Sequence, residues 1–267
     1  MGDAKSIIVK PISSQDANRI IKQLHYSGKV VNNSQLHLGV FYNGRCGGAM
    51  QFGPSLDKRK VIGLVGGTLW NEFLELNRLA FADWLPRNGE SRCIAYAMRF
   101  IKKTYPWMKW IISFADGTHC GDGTIYRASG FVLTGLSTSS MIELPPDLAK
   151  INGGPYAHRM TLQAKSNRMY KVMQERLNLR GAYKNMEWYA EKLGTNVVEG
   201  YQLRYIYFLD PTAKDRLTVP ILPFSEIERR GAGMYKGIKR PKQAMASDQE
   251  EQRRGSADPD APSQEVK

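Results

Sequence analysis

Apolar and polar positions alternate along the chain in short blocks whose periods distinguish strands from helices. Apolar runs of strand length cover residues 36–42, 46–52, 73–80, 110–115, 131–135 and 201–209. Asn43-Gly44 separates the first two runs and predicts a tight β-hairpin. Helical periods predict one helix capped by Ser13 and a second over residues 92–103. This order of elements predicts an α/β fold with a mixed central sheet flanked by helices.

Residues 141–200 interrupt the sheet pattern before its last strand, and we expect them to form a helical insertion. Its main helical part is Ser166 to Leu193, with Gly181 as the point where the helix can break. Residues 159–192 hold eight basic and three acidic side chains, with Tyr170, Tyr183, Trp188 and Tyr189 among them. This mixture is typical of a surface that contacts a nucleic-acid backbone and unstacked bases. A solvated helical face whose aromatics pack on the sheet explains it equally well.

The charge of the chain is strongly asymmetric. The whole sequence has 38 Lys and Arg against 25 Asp and Glu, a net charge of +13. Residues 241–267 hold four basic and six acidic side chains, so residues 1–240 hold 34 and 19, a net charge of +15. Such a body suits polyanions, because neutralising phosphates releases counterions. Residues 241–267 have almost no large apolar side chains, and we expect a disordered tail there.

Cysteine content and hydropathy indicate the cellular compartment in which we expect the protein. Only Cys46, Cys93 and Cys120 are present, a count that favours a reducing cytosol over a disulfide framework. No apolar stretch reaches the length of a transmembrane helix, so no membrane partner is expected.

The segment after the strand at 110–115 carries the densest chemistry. Asp116 follows directly, and the next residues include His119, Cys120 and Tyr126 among several glycines. Open α/β sheets bind ligands at the carboxyl ends of their strands, which makes Asp116 a candidate site residue. The alternative is that the glycines only make turns and that Asp116 caps the loop.

Residues 87–91 open a helix after a strand, where unpaired N–H groups and the helix dipole favour an anion. In this element order the loop resembles the pyrophosphate loop of GNAT acyltransferases, in which coenzyme A lies against the helix N-terminus. Residues 123–131, Gly-Thr-Ile-Tyr-Arg-Ala-Ser-Gly-Phe, are similar to the short helix and turn that close the donor site of that fold. The resemblance implies a GNAT-like catalytic domain over residues 1–240. It also implies donor contacts at Arg87, Asn88 and Gly89.

Several ordered motifs resemble the Mom DNA-modification proteins of Mu-like phages over roughly residues 15–240. They are Leu-His-Tyr-Ser-Gly at 24–28, Glu-Leu-Asn-Arg-Leu at 75–79, Pro-Arg-Asn-Gly-Glu-Ser-Arg at 86–92, Ser-Phe-Ala-Asp-Gly-Thr at 113–118, Gly-Asp-Gly-Thr-Ile-Tyr-Arg at 121–127 and Tyr-Ile-Tyr-Phe-Leu-Asp at 205–210. The resemblance implies a transferase that converts the N6 amine of adenine in DNA to a carbamoylmethyl amine. Such an enzyme protects phage DNA from restriction and acts in the cytoplasm of the infected host.

The functional positions of that family fall on His25, Tyr26, Arg78, Ser91, Asp116 and Tyr126, and all six residue types match. Asp116 is then the base or acceptor for N6–H. Tyr126 stacks on the flipped base or protonates the leaving group, while His25 and Tyr26 line the acceptor cleft. Arg78 and Ser91 hold the donor. Structural alternatives remain open: His25 as a local structural residue, Tyr126 packed on the sheet, and Arg78 paired with Glu75.

Adenine N6 is a poor nucleophile, and its base must leave the duplex stack to be reached. The reaction therefore needs an activated two-carbon donor. The fold implies acetyl-CoA, but acetyl transfer gives an acetamide; a glycyl group, for instance from glycyl-tRNA, is an isomer of the carbamoylmethyl group. The basic surface would also tolerate tRNA as a partner. A metal is a further candidate, since several ligand types occur, although their spacing fits no standard metal motif: His25, Asp116, His119, Cys120 and Asp122. The resemblance to the Mom family leaves a dependence on iron open.

Three other functions share some of these features. A DNA adenine methyltransferase is rejected. Such enzymes have an Asp/Asn-Pro-Pro-aromatic motif, whereas residues 144–147 are Leu-Pro-Pro-Asp, with different residues on both sides of the prolines. An ordinary GNAT enzyme that acetylates a protein or small molecule is the alternative, although residues 87–91 depart from the usual donor loop. A non-enzymatic DNA-binding protein explains the charge but leaves Asp116 and Tyr126 without a role.

Overall fold

The computed structural model describes residues 4–117, 121–138, 141–235 and 238–239. The strands are β1 (Ile8–Pro11), β2 (Leu36–Tyr42), β3 (Arg45–Gly53), β4 (Phe73–Phe81), β5 (Trp110–Asp116), β6 (Val132–Thr138), β7 (Met141–Glu143), β8 (Tyr156–His158), β9 (Tyr201–Phe208), β10 (Met234–Tyr235) and β11 (Ile238–Lys239). The α-helices are α1 (Ser14–Leu24), α2 (Lys58–Val61), α3 (Gly89–Thr104), α4 (Thr124–Ala128), α5 (Pro146–Asn152), α6 (Arg159–Gln163), α7 (Arg168–Arg176), α8 (Met186–Leu193) and α9 (Ser225–Arg229). Short 3₁₀ turns lie at Ala4–Ser6, Ile62–Leu64 and Pro211–Arg216.

A seven-stranded sheet in the order β1-β2-β3-β4-β5-β9-β6 forms the centre of the fold. The β4–β5 pair is parallel and the other neighbours are antiparallel. The predicted hairpin joins β2 to β3, and both turn residues, Asn43 (φ 49°) and Gly44 (φ 75°), have the positive φ that this turn requires. The prediction of a mixed sheet flanked by helices is therefore confirmed.

Helices α1 and α3 cover opposite faces of this sheet. The buried side of α1 packs on Ala49 and Ala80, whereas α3 packs on a larger core that includes Leu74 and Ile111. The cap predicted for α1 is present, because the Ser13 side chain accepts a hydrogen bond from the Asp16 N–H at 3.1 Å. Alternate positions of β4 and β5 thus belong either to an α1 face or to an α3 face.

The parallel strands β4 and β5 diverge after a short paired region. Their register joins Phe73 to Trp110, Leu74 to Ile111 and Glu75 to Ile112, and beyond these residues the described parts of the strands share no further pair. A register shift between β3 and β4 leaves Asn77 unpaired, the arrangement of a β-bulge, which bends a strand. A gap therefore opens between the carboxyl halves of β4 and β5.

Residues 141–198 lie between β6 and β9 and have a core of their own. A short hairpin, β7–β8, and helices α5 to α8 surround a cluster that includes Leu148, Leu162 and Tyr189. The chain between α7 and α8 is not helical, and Gly181 has a φ of 85° there. The expected tail, residues 241–267, lies outside the described residues. Among the helices of the described residues, none is long and apolar enough to cross a membrane.

Candidate active site

Asp116 is the last residue of β5, at the edge of the gap. The next residue, Gly117, donates its N–H to the Tyr201 carbonyl at 2.7 Å, which holds the strand end against β9. Asp116 lies on the same face of β5 as Ile112 and Phe114, which pack away from α3, so it lies on the α1 face. Its charge acts on two imidazoles, those of His25 and His158. The charge of this carboxylate therefore influences groups from two other parts of the chain, the end of α1 and the insertion.

His25 ends α1 and is held as a neutral ring. The Ser27 backbone N–H donates to its Nδ1 at 3.2 Å, and the Ser27 hydroxyl lies 2.8 Å from the same atom. Because a backbone N–H can only donate, Nδ1 accepts and the ring proton lies on Nε2. The pKa of His25 is lowered to about 4, mainly by burial and also by the charge of Arg78, while the charge of Asp116 acts in the opposite direction. At neutral pH this side chain is a hydrogen-bond donor through Nε2–H.

We expect His25 to make the fold sensitive to acid. Its folded pKa of about 4 lies below the ordinary 6.5, so between these values the unfolded chain binds a proton that the folded chain does not. The free energy of unfolding therefore falls as the pH drops below 6.5, by about 2 kcal/mol at pH 5. Denaturant unfolding measures this decrease between pH 7 and pH 5. The free energy of unfolding of His25→Gln should decrease by about 2 kcal/mol less than that of the wild type. Equal losses would contradict this assignment.

Arg78 joins the same group from β4. Its Nε donates to the Lys29 carbonyl at 2.9 Å and its Nη1 to the Asn77 carbonyl at 2.7 Å. Burial lowers the pKa of Arg78, while Tyr26 and Glu75 raise it. The structure thus groups Arg78 with the α1 face rather than with the helix-opening loop. Donor contact by Arg78 stays a prediction.

Glu75 and Tyr26 complete this face. Burial raises the pKa of Glu75, while hydrogen bonds from Ser55 and Asn77 and the charge of Arg78 lower it. The two side chains therefore attract each other electrostatically, which agrees with the structural alternative that pairs Arg78 with Glu75. Tyr26 is 54% exposed, and its ring lies against His25 with centroids 4.4 Å apart. It offers an accessible aromatic surface beside Arg78.

The loop before α3 forms a second group. Asn88 adopts a left-handed conformation (φ 63°), and the N–H of Arg92 donates to its carbonyl at 3.2 Å, the first bond of the helix. The N–H groups of Glu90 and Ser91 precede that bond and have no partner within the helix, as in any first turn. The Ser129 hydroxyl donates to the Ser91 carbonyl at 3.4 Å, which joins this turn to the end of α4.

The charges around this turn decide whether a phosphate fits. Arg87 and Arg92 are exposed at its rim. Gly89 is buried, and an added Cβ would come within 2.8 Å of Ile7 Cδ1, so the absence of a side chain lets the loop pack closely. Burial and the nearby Asp83 raise the pKa of Glu90 and weaken its charge. Two cations and two available N–H groups therefore fit a phosphate-bearing donor here.

Tyr126 lies on the α3 face and is only 7% exposed. Its ring stacks on Tyr205, with centroids 5.2 Å apart, and meets the edge of Phe131 at 5.4 Å. Burial raises the pKa of Tyr205, whose hydroxyl donates to the Asp122 carbonyl. A flipped base could stack on Tyr126 only after one of these rings moves. A chemical role of Tyr126 would therefore involve its phenolic hydroxyl rather than its ring.

The structure adds one residue that the sequence did not single out. His158 ends β8 in the insertion, and burial and Arg159 lower its pKa, whereas Asp116 raises it. No sequence motif marks His158. Within the described ranges, no group of three or more His, Cys, Asp or Glu side chains is arranged to hold a metal ion. His119 and Cys120, both of them ligand types, lie outside those ranges.

The two groups lie on opposite faces of the sheet. His25, Tyr26, Arg78 and Asp116 belong to the α1 face, whereas the first turn of α3 and Tyr126 belong to the α3 face. Ser113 lies on β5 at the start of the gap, and its buried hydroxyl has no hydrogen-bond partner among the described residues. Beyond Glu75 and Ile112, where β4 and β5 share no described pair, no strand ladder separates the two faces of the sheet.

Comparison with known proteins places the chain in a family. The model of the Mom protein family matches residues 6–226. "Methylcarbamoylase mom" of Escherichia phage Mu is 35% identical over 219 residues, 82% of this chain and 82% of that protein. Among solved structures, the chain is similar to a tandem GNAT protein from the clavulanic acid biosynthesis pathway (TM-score 0.46, 9% identity, 77% of this chain and 99% of that one). It is also similar to the IAA acetyltransferase from Bacillus cereus (TM-score 0.43, 10% identity, 76% and 99%). The family match and the phage Mu relative confirm the resemblance found in the sequence, and this chain belongs to the Mom protein family.

Proposed function

We propose that this chain is a DNA-modifying transferase that attaches an activated two-carbon unit to the N6 amine of adenine and yields a carbamoylmethyl-type base. The proposal rests on family membership, since the phage Mu relative is named a methylcarbamoylase. The observation that carries the mechanism is the divergence of β4 and β5 beyond Glu75 and Ile112. The cellular role is protection of phage DNA in the cytoplasm of the infected host.

The α1 face supports the acceptor half of the reaction. The adenine N6 lone pair is delocalised into the ring, so attack requires removal of an N6 proton in the transition state. Asp116 is the acceptor for that proton. His25 is neutral and presents Nε2–H, a donor suited to a ring nitrogen of the flipped base. Tyr26 offers an exposed ring on which the base can stack, which offsets part of the cost of unstacking.

The α3 face supports the donor half. Acetyl-CoA and glycyl-tRNA both carry phosphates, so the cations Arg87 and Arg92 and the N–H groups of Glu90 and Ser91 suit either. In the transfer, the N6–carbon bond forms with the amine electron pair, and the bond from that carbon to its leaving group breaks. The leaving group keeps the electron pair and takes a proton from the Tyr126 hydroxyl, while Asp116 holds the N6 proton.

The donor is proposed to be a glycyl group rather than an acetyl group. A glycyl group on N6 and a carbamoylmethyl group on N6 contain the same atoms, so a rearrangement converts one into the other without an oxidant or a reductant. Isotopically labelled glycine supplied to expressing cells should label the modified adenine. Unlabelled modified adenine would reject this donor.

Mass spectrometry of nucleosides tests the proposed function directly. DNA from cells that express the chain should contain an adenosine heavier by the carbamoylmethyl substituent. Acetylated protein with unmodified DNA would instead favour an ordinary GNAT enzyme. Unmodified DNA with tight, salt-sensitive binding would favour a non-enzymatic DNA-binding protein. Loss of activity after chelation, with recovery on addition of iron, would support a metal requirement.

Basic residues of the insertion are proposed to contact the DNA backbone. Lys165, Arg168 and Lys171 are all exposed. Their joint replacement by Gln should weaken DNA binding and reduce the slope of log affinity against log salt by about 0.9 for each phosphate that the protein no longer neutralises. Titrations of a fluorescent duplex at several salt concentrations measure both effects.

A control with equal charge loss is available at the other end of the sheet. Three basic side chains are exposed in the last turns of α3: Arg99, Lys102 and Lys103. They precede the start of β5, whereas Asp116 is at its other end. Their replacement by Gln should change the slope less than the insertion variant does. Equal changes in both variants would assign the effect to net charge and contradict a contact surface on the insertion.

A further inference from the structure

We infer that the β3–β4 connection, residues 54–72, holds the DNA duplex beside the acceptor residues, with Leu56 as an apolar wedge that fills the place of the flipped base. The exposed cations Arg59 and Lys60 of the same connection contact the phosphates next to the wedge. This inference rests on the proposed function for the identity of the flipped base. The opening of the duplex can be measured without any modification of adenine.

The start of the connection lies along β4, beside the acceptor residues. The Asn77 side chain donates a hydrogen bond to the Pro54 carbonyl at 3.4 Å. The next residue, Ser55, is hydrogen-bonded through its side chain to the Glu75 carboxyl group. Leu56 therefore directly follows a residue that is bonded to the group formed by the α1 face.

The rest of the connection is fixed to the sheet. The Lys58 ammonium lies 4.6 Å from the centre of the Trp70 ring and 5.3 Å from the centre of the Phe73 ring. Three further side chains of the connection are buried in the core cluster that contains Phe73: Val61, Leu64 and Val65. The chain thus runs back along β4 from Asn77 to Phe73 and is anchored at both ends. A wedge needs such a rigid support, because its position must not shift under load.

Leu56 is 78% exposed, the largest exposed fraction among the large apolar side chains in the described part of the chain. A single exposed leucine is ordinary, but this one precedes three consecutive cations, residues 58–60, with only Asp57 between. Lys60 pairs with Asp57 at 2.7 Å, and Arg59 is exposed. An apolar tip beside an excess of positive charge suits an anionic duplex better than an apolar protein surface.

The chemistry of base flipping explains why a leucine stands there. Extrusion of the adenine breaks its stacking on both neighbours and leaves a gap in the duplex. Proteins that open or kink DNA insert apolar side chains such as leucine between base steps. Leu56 is buried only when it occupies that gap, so its burial favours the flipped state over the closed duplex. Tyr26 then stacks on the extruded base, and Leu56 replaces it in the duplex.

Fluorescence of 2-aminopurine, an adenine analogue that emits more strongly when it leaves the stack, tests the wedge. We use duplexes with one analogue in each possible nearest-neighbour context and saturating protein. The wild type should raise the emission in at least one context, and Leu56→Ala should lose most of that increase. Leu56→Met keeps an apolar wedge and should retain it. Since Leu56 is exposed, all variants should keep the wild-type melting temperature.

Two controls separate the wedge from phosphate contact and from general apolarity. The double variant Arg59→Gln, Lys60→Gln should reduce the slope of log affinity against log salt by about 0.9 for each lost phosphate contact. At saturation it should still raise the emission. Leu69→Ala removes an equally apolar side chain, 68% exposed. It follows Thr68, which accepts a hydrogen bond from Trp110 at the start of β5, so this variant should behave as the wild type.

Measurement of modified adenine in cells links the wedge to the reaction. Leu56→Ala should lower the modified fraction about tenfold, the factor expected when the burial of one leucine side chain is lost. A wild type that raises the emission in no context, or a Leu56→Ala variant that raises it fully, would overturn the inference even if the chain modifies adenine. Emission that depends on Leu56 in a chain that leaves DNA unmodified would support the wedge and reject the proposed function alone.

Discussion

Asp116→Asn should abolish adenine modification, with a loss of at least about a hundredfold in the modified fraction. The amide has nearly the shape of the carboxylate but cannot accept a proton at neutral pH. Neither nearby histidine replaces it, because the Nδ1 atoms of His25 and His158 already accept backbone N–H groups. Mass spectrometry of digested DNA from cells that express each variant measures the effect.

DNA binding separates a chemical defect from a folding defect in this variant. Asp116→Asn should bind duplex DNA with at least wild-type affinity, because the substitution removes a negative charge from a protein that binds a polyanion. Asp215→Asn makes the same change at an exposed position and should retain full modification. Substantial activity in Asp116→Asn would remove this carboxylate from the role of proton acceptor.

Local sequence signals predicted those parts of the fold that local physics determines. Asn43-Gly44 predicted the hairpin because its turn requires positive φ, and the structure has that turn. Ser13 predicted the start of α1 because its hydroxyl can accept a backbone N–H. The apolar run that ends before Asp116 placed this carboxylate at a strand end. Each of these features depends on residues within a few positions of one another.

Features that depend on distant contacts were not predictable in the same way. The gap between β4 and β5 follows a bulge at Asn77, and bulges leave little trace in a pattern of apolar positions. Strands β7 and β8 have three residues each, too few to show a period of two. The division of the helical segment at 166–193 into α7 and α8 was different, because Gly181 marked the place of the break in the sequence itself.

The resemblance to the Mom family supplied residue types, and the structure adds their grouping. His25, Tyr26, Arg78 and Asp116 come together on the α1 face, while Ser91 and Tyr126 lie on the other face. No arrangement along the chain distinguishes these two sets. The division between faces follows from the alternation of side chains on β4 and β5. The sequence shows the alternation within each strand, but not which positions of the two strands share a face.

Gly123→Ala should be the most destabilising of these substitutions. Gly123 has a φ of 76°, and an added Cβ would lie 2.5 Å from Cε2 of Tyr205. Tyr205 is fully buried, and its hydroxyl donates to the Asp122 carbonyl, so the ring cannot move without loss of that bond. Left-handed strain and overpacking together should cost about 3 kcal/mol. For a domain of this size, the melting temperature should fall by about 6–12 °C.

Gly44→Ala isolates the two causes, because Gly44 has a similar φ of 75° but no atom within 4 Å of an added Cβ. This control should cost only the strain, about 1 kcal/mol, and lower the melting temperature by about 2–4 °C. Calorimetry of both variants measures the difference. Similar decreases in melting temperature for the two variants would mean that Tyr205 moves to accommodate the methyl group. The close contact between Gly123 and Tyr205 would then not hold α4 in place. A larger loss in Gly123→Ala would mean that packing on Tyr205 positions the helix that carries Tyr126.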